Sequence, residues 1–159
     1  MSTANYHPND PAKTLSAWTR LDIIDASDIE SFIPIGTKAV VTLHPNSAGW
    51  STIFSNRITQ QCVDAPNNSY EHTISCLLAG RSNLYDTKFD EMKQQRFIVR
   101  LHDANGDTYV SGCPDEPLRF SFDNCNDGDD ADGAAYSITF HCVSRLPLLA
   151  ATVSLTRNP

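Results

Sequence analysis

Segments in which apolar and polar residues alternate recur along most of this chain. Pro117–Phe122 (PLRFSF) alternates in strict order, and Ala135–Cys142 (AYSITFHC) does much the same. Successive side chains of a β-strand point to opposite faces, so a period of two predicts strands with one face against a core. Further segments of this type are Ser31–Gly36, Lys38–His44, Ser51–Val63, Ser69–Leu78, Arg96–Leu101, Asp107–Gly112 and Leu146–Leu155. The pattern therefore predicts a mainly β fold.

One segment is the best candidate for an α-helix, and Asp25–Asp28 resembles a turn or the start of a short helix. In Asp86–Gln95, Phe89 and Met92 share a face at i,i+3, and Thr87 and Asp90 resemble a capping box at the helix start. Pro34 interrupts one apolar segment, which favours an edge strand there. About eight strands and one short helix predict an antiparallel β-sandwich or barrel.

The length of 159 residues fits a single domain. Residues 1–14 are polar and contain Pro8 and Pro11, which predicts an extended, flexible N-terminal arm. We therefore expect an arm over residues 1–14 and one β-sandwich domain over residues 15–159.

The charge of the chain argues against two classes of partner. Its formal net charge is −7, and its 12 Lys and Arg residues are scattered. Binding to nucleic acid and to anionic membranes both depend on clustered basic residues. No apolar run reaches the length of a membrane span. We expect neither sequence-specific nucleic-acid binding nor membrane contact.

The five cysteines are odd in number and form no CxxC pair. The N-terminal residues lack the basic and apolar regions of a secretory signal. These features favour a reducing compartment with free thiols. A processed secreted chain with two disulfides stays open as the alternative.

An acidic loop over residues 123–133 contains five aspartates. The carboxylates offered to a hard cation such as calcium are those of Asp123, Asp127 and Asp129. If Asp123 is the first position of an EF-hand loop, Cys125 and Ala134 fall where ligands belong. A solvated hairpin loop is therefore the favoured interpretation, calcium is the alternative, and no cofactor is expected.

The histidine, serine and glycine residues of this chain do not lie in the sequence motifs of known enzyme active sites. No histidine pair has HExxH spacing, and Ser111 lies in VSGC rather than in a GxSxG elbow. The glycines are spread singly, without a phosphate-binding motif. The sequence predicts a protein that is not an enzyme.

Loops supply the candidate contact residues. Trp50 lies in the loop segment SAGWST, where an aromatic ring can face a partner or stack on a sugar. Asp129 and Asp130 are the candidate contacts in the acidic loop. An extracellular or surface adhesion module that binds carbohydrate is therefore one of two functional hypotheses.

The other hypothesis comes from the order of segments in the C-terminal part of the chain. A short helix is followed by residues 97–106 (FIVRLHDANG), 109–112 (YVSG), 117–122 (PLRFSF), an acidic loop, 135–140 (AYSITF) and 146–149 (LPLL). This order resembles that of small structural proteins of tailed bacteriophages, in particular those that infect Bacteroidetes.

The resemblance implies a tail or neck (head–tail connector) subunit, made in the host cytoplasm and built into the virion. Its partners would be other copies of itself in a homo-oligomeric ring and other virion proteins. Such a subunit needs surfaces complementary to its neighbours. Heterologous contacts, in which each subunit uses two different surfaces, can close into a ring. The arm would become ordered on assembly.

Overall fold

The structure is a computed structural model that describes residues 18–55, 57–80, 83–126 and 134–152. The arm predicted over residues 1–14 lies outside the described residues. The strands are β1 (Trp18–Asp25), β2 (Ile29–Ile35), β3 (Lys38–Leu43), β4 (Ser51–Ile53), β5 (Ile58–Ala65), β6 (Ser69–Ala79), β7 (Arg96–Asp103), β8 (Thr108–Ser111), β9 (Leu118–Asn126), β10 (Ala134–Ser144) and β11 (Leu149–Thr152). One α-helix, α1 (Asn83–Met92), lies between β6 and β7. The prediction of a mainly β fold with one short helix is confirmed.

The eleven strands of the described residues all belong to one sheet. The order is β2-β3-β11-β8-β7-β9-β10-β6-β5, while β1 pairs with β7 and with β4. The β11–β3 pair is parallel, and the other strand pairs are antiparallel. The sheet is thus mixed, and it stays open, with β2 and β5 at the two ends of the strand order.

The main core lies where β1, β7, β9, β10, β6 and β5 bring their inner faces together. Alternation decides which residues enter it: in β6, His72, Ile74 and Cys76 are buried and their neighbours are partly exposed. A second, smaller cluster holds β2, β3 and β11 against the outer face of β7, around Ile24 and Ile98. Two apolar clusters therefore pack on opposite faces of the same central strands.

Helix α1 packs on the main core through Phe89 and Met92, as their spacing predicts. The centre of the Phe89 ring lies 5.0 Å from that of Tyr136, whose hydroxyl donates to Asp86 Oδ1 at 2.8 Å. The helix begins at Asn83, so Thr87 and Asp90 lie inside it and the capping-box interpretation is wrong. The hydrogen bond from Tyr136 of β10 to Asp86 anchors the first turn of the helix. The local sequence alone does not predict this contact.

Two further predictions can be compared directly with the strands. Ser51–Val63 forms two strands, β4 and β5, because the chain leaves its partner β1 and turns to pair with β6. The segment around Pro34 is an edge strand, as predicted, and its register with β3 shifts between Ile29 and Ser31.

Candidate functional site

The acidic loop is only partly within the described residues. Asp123 lies exposed on β9, where its backbone faces Ser137 of β10. Asp127, Asp129 and Asp130 lie outside the described residues, so the calcium and contact predictions for them stay predictions. Within the described ranges, no group of three or more His, Cys, Asp or Glu side chains is placed to hold a metal ion.

Trp50 lies beside the second apolar cluster and is half-buried there. The guanidinium carbon of Arg100 lies 4.4 Å from the centre of the indole ring. A cation over the ring face is attracted by its negative quadrupole, and it also covers the surface on which a sugar would stack. The contact role predicted for Trp50 stays a prediction.

The densest polar cluster surrounds the carboxylate of Asp22 in the middle of β1. Oδ1 accepts hydrogen bonds from Arg20 Nε at 2.9 Å and from Thr52 Oγ1 at 2.7 Å. Oδ2 accepts from both Arg100 Nε at 3.0 Å and Nη2 at 2.8 Å, and it lies 2.7 Å from His102 Nε2. The carboxylate is fully buried and joins three strands, β1, β4 and β7.

Two opposing effects set the ionisation of Asp22. Burial raises the pKa of its carboxyl, but the hydrogen bonds from Thr52, His102, Arg100 and Arg20 outweigh burial and lower the pKa to about 2. Asp22 is therefore ionised at neutral pH. The charge is matched by two guanidinium groups, so the cluster holds strands together rather than supplying an acid or a base.

Sequence reasoning did not single out this cluster. One sequence feature could have indicated the cluster: the charged Asp22 lies between two apolar residues, Leu21 and Ile23, which are buried in the structure. A second was the pair Arg100 and His102, which share one face of another strand. Nothing local to either segment shows that they pair.

A second polar contact lies in the main core. His72 and Ser111 are both fully buried, and Ser111 Oγ lies 2.9 Å from His72 Nδ1. His72 Nε2 lies 2.7 Å from the carbonyl oxygen of Leu146, so Nε2–H donates to it and Nδ1 accepts from the serine hydroxyl. Burial lowers the pKa of His72, which keeps the imidazole neutral.

A serine hydroxyl on a histidine ring is also the first contact of a nucleophile–base pair. Here both groups are enclosed by core side chains, and neither lines the groove described next. The two hydrogen bonds tie β6 to β8 and to the segment before β11. We therefore assign Ser111 and His72 a structural role.

A surface groove of about 640 Å³ lies where β1 begins and β6 ends. Its lining residues are Trp18, Thr19, Phe54, Ser55, Arg57, Leu77 and Ala79. The Phe54 side chain is 85% exposed, while Trp18 is half-buried and meets Tyr109 edge to face with ring centres 5.4 Å apart. The groove thus combines an exposed aromatic ring with polar side chains.

The two end strands of the sheet also carry exposed apolar side chains. On β2 these are Ile33 and Ile35, and Ile35 is 63% exposed. On β5 the corresponding residue is Val63. Among the described strands, β2 pairs only with β3 and β5 only with β6. Each end strand therefore leaves one edge without a strand partner in this part of the chain.

No protein family, curated protein or solved structure matches this chain. Among the described residues, no helix is long and apolar enough to cross a membrane.

Proposed function

We propose that this protein is a non-enzymatic structural subunit that acts by protein–protein assembly, in the tail or neck of a tailed bacteriophage. The observation that supports assembly is the open sheet, whose two end strands carry exposed Ile33, Ile35 and Val63. Unpaired strand edges and exposed apolar side chains are the features by which strands of separate chains join.

The two ends of the sheet differ, which bears on the kind of assembly. The β2 end presents Ile33 and Ile35 beside Lys38 of β3, whereas the β5 end presents Val63 beside Asp64 and Glu71. A subunit with two unlike surfaces can contact one neighbour through each of them. Such contacts close into a ring when the rotation between neighbours divides a full turn.

The bacteriophage context comes from the sequence resemblance. The residues that carry it, Phe89–Leu149, run from α1 through β7, β8, β9 and β10 to the start of β11. These are the central strands of the sheet, so the resemblance concerns the framework and not a particular site. Location in the virion, after synthesis in the host cytoplasm, belongs to this proposal.

Native mass spectrometry of the purified chain without reductant tests the proposal, because it gives the oligomer mass and the disulfide count together. We expect an oligomer with all thiols reduced. A monomer with two disulfides would contradict assembly and favour the surface-module alternative.

Matched lysine substitutions then test whether the β2 end takes part. Ile35→Lys places a charge in the proposed contact and should reduce the oligomer. Leu84→Lys makes the same kind of change at an exposed apolar residue of α1, away from both end strands. Equal oligomer masses for the two variants would exclude the β2 end.

A second candidate, a carbohydrate-binding surface module, is favoured by one observation. Phe54 exposes an aromatic ring in a groove that also contains Ser55 and Arg57, the combination that binds a sugar ring. Intrinsic tryptophan fluorescence, to which Trp18 in the groove contributes, tests it during titration with oligosaccharides. Saturable quenching that Phe54→Ala abolishes would support the module, and an unchanged spectrum with all sugars would dispose of it.

A further inference from the structure

We infer that copies of this chain join face to face, with the sheet face around Lys38 of one copy lying on the sheet face around Glu71 of the next. This inference rests on the proposed assembly function and specifies its contact. Lys38 belongs to the group β2, β3 and β11, and Glu71 belongs to the group β5, β6 and β10. These groups are the last three strands at either end of the strand order, so one copy can use each end for a different neighbour.

One row of side chains crosses the end formed by β2, β3 and β11. Ile35 of β2 pairs with Lys38 of β3, and Lys38 pairs in turn with Ala150 of β11. Residues that pair across adjacent strands share a face, so Lys38 has an apolar neighbour on each side. Ile33 lies two residues before Ile35 on the same face, and both isoleucines are exposed. This row therefore places one positive charge between apolar side chains.

A second row with the same arrangement crosses the other end of the sheet. Glu71 of β6 pairs with Val63 of β5 on one side and with Val143 of β10 on the other. Both valines are exposed although they are apolar, and the Glu71 side chain is half exposed. Here one negative charge lies between two apolar side chains.

The two rows also match in size. Neighbouring strands are about 4.7–4.9 Å apart, so each row of three strands is roughly 10 Å wide. When one row is laid on the other, the lysine meets the glutamate and the apolar neighbours meet each other. The apolar contacts exclude water from the ion pair, and an ion pair is stronger where water is excluded.

Both charged groups can take a partner from another copy. Nζ of Lys38 has no ion-pair partner among the described residues. His141 Nε2 lies 3.5 Å from Oε2 of Glu71, and Oε1 has no ion-pair partner in the same part of the chain. A contact between Lys38 and Glu71 therefore forms without breaking an ion pair inside either copy.

The charges decide which surfaces can meet. Two copies joined through the same row would bring two lysines or two carboxylates together, and like charges across an interface repel. Joining unlike rows brings opposite charges together instead. Because every copy carries both rows, the contact is heterologous, which is the type that can close into a ring.

Charge reversal tests the contact. Lys38→Glu and Glu71→Lys each place like charges opposite each other, so each variant should associate about tenfold more weakly than the wild type at low ionic strength. The double variant should recover the association, because the pair is restored with its signs exchanged. An equimolar mixture of the two single variants should recover it too, since the two can alternate. Sedimentation velocity over a concentration series measures all of these.

Lys88→Glu and Glu91→Lys are the matched controls. Both residues are exposed on α1, outside the two rows, and each substitution makes the same change of charge. Neither control should change the association of the wild type.

Cross-linking of the wild type gives a readout that needs no substitution. A carbodiimide joins a lysine amine directly to a carboxylate that touches it. In an equal mixture of unlabelled and ¹⁵N-labelled protein, peptide mass spectrometry should find Lys38 of one isotope joined to Glu71 of the other.

The outcomes separate this contact from assembly in general. If the wild type associates but the Lys38 and Glu71 variants behave like the α1 controls, the contact is wrong and assembly through another surface stands. Single variants that weaken association without recovery in the double variant would also overturn the contact. A wild type that is monomeric at every concentration would overturn both the contact and self-assembly.

Discussion

The carboxylate of Asp22 and the imidazole of His102 lie 2.7 Å apart across the β1–β7 pair, although the two residues are 80 positions apart in the sequence. The same carboxylate oxygen, Oδ2, also accepts hydrogen bonds from Nε and Nη2 of Arg100. The other oxygen is held by Thr52 of β4. One buried charge thus fixes the relative positions of three strands.

Replacing Asp22 by Asn should lower the free energy of unfolding by about 2–3 kcal/mol, because it keeps the shape but leaves Arg100 without its counterion. Urea denaturation at pH 7 measures the change. Asp90→Asn is the control, since Asp90 pairs with Lys93 at 3.6 Å on the surface, and it should change stability by less than about 0.5 kcal/mol. Equal effects of the two substitutions would show that the Asp22 cluster does not stabilise the fold.

Asp22 should also make the free energy of unfolding depend on pH in the acid range. The pKa of its carboxyl falls from 3.8 to about 2 on folding, so the unfolded chain takes up the proton first as pH decreases. The stabilisation is fully present above about pH 4 and is lost as pH falls to about 2. The free energies of unfolding of the wild type and of Asp22→Asn should therefore converge as pH falls across this range. A constant difference between them at pH 5, 3 and 2 would contradict the low pKa.

His72 should contribute a separate loss of stability at mildly acid pH. Its pKa is lowered from 6.5 by burial, so the unfolded chain binds the proton more readily as pH falls below about 6.5. The free energy of unfolding of the wild type should fall between pH 7.5 and pH 5. His72→Gln should reduce that slope, because the new side chain does not titrate.

The half-exposed His141, 3.5 Å from Glu71 on the outer face of β10, provides the control for this experiment. His141→Gln should keep the slope due to His72. If the two histidine variants change the slope equally, the buried imidazole is not the group responsible.

The core thiols should be unreactive in the folded protein. Burial raises the pKa of Cys76 to about 11 and that of Cys142 to about 12, so almost no thiolate forms at pH 8. Alkylation with iodoacetamide, followed by peptide mass spectrometry, should label these residues only after denaturation. Labelling of Cys142 in the native protein at the rate seen in the unfolded chain would show that the core opens readily.

Local sequence patterns predicted much of the framework correctly. Alternation in Ser69–Leu78 predicts one face with Tyr70, His72, Ile74 and Cys76; the last three are buried, and Tyr70 is half-buried. Pro34 indicated an edge strand because proline cannot donate a hydrogen bond, and β2 ends the sheet. These predictions succeed because backbone geometry and side-chain polarity act within a few residues of each other.

The candidate sites could not be predicted in the same way. Gln60 is one polar residue among several in ITQQCVDA, and only the structure shows that its side chain is buried, with no hydrogen-bond partner for Nε2 among the described residues. Ser111 and His72 are 39 positions apart, and the fold alone makes them neighbours. Trp50 lies in a loop, as its sequence context predicts, but only the structure shows that Arg100 covers its ring.

The sequence by itself therefore determined the location of most strands and of the described α-helix, and which side chains of those strands face a core, but it did not predict β1 or the break between β4 and β5. The tertiary structure alone decided that β11 runs parallel to β3, that Asp22 meets Arg100 and His102, and that β5 ends the sheet. The physical reason is that alternation specifies the face of a strand but not its neighbour. Pairing is decided by packing between residues far apart in the chain, which no local pattern records.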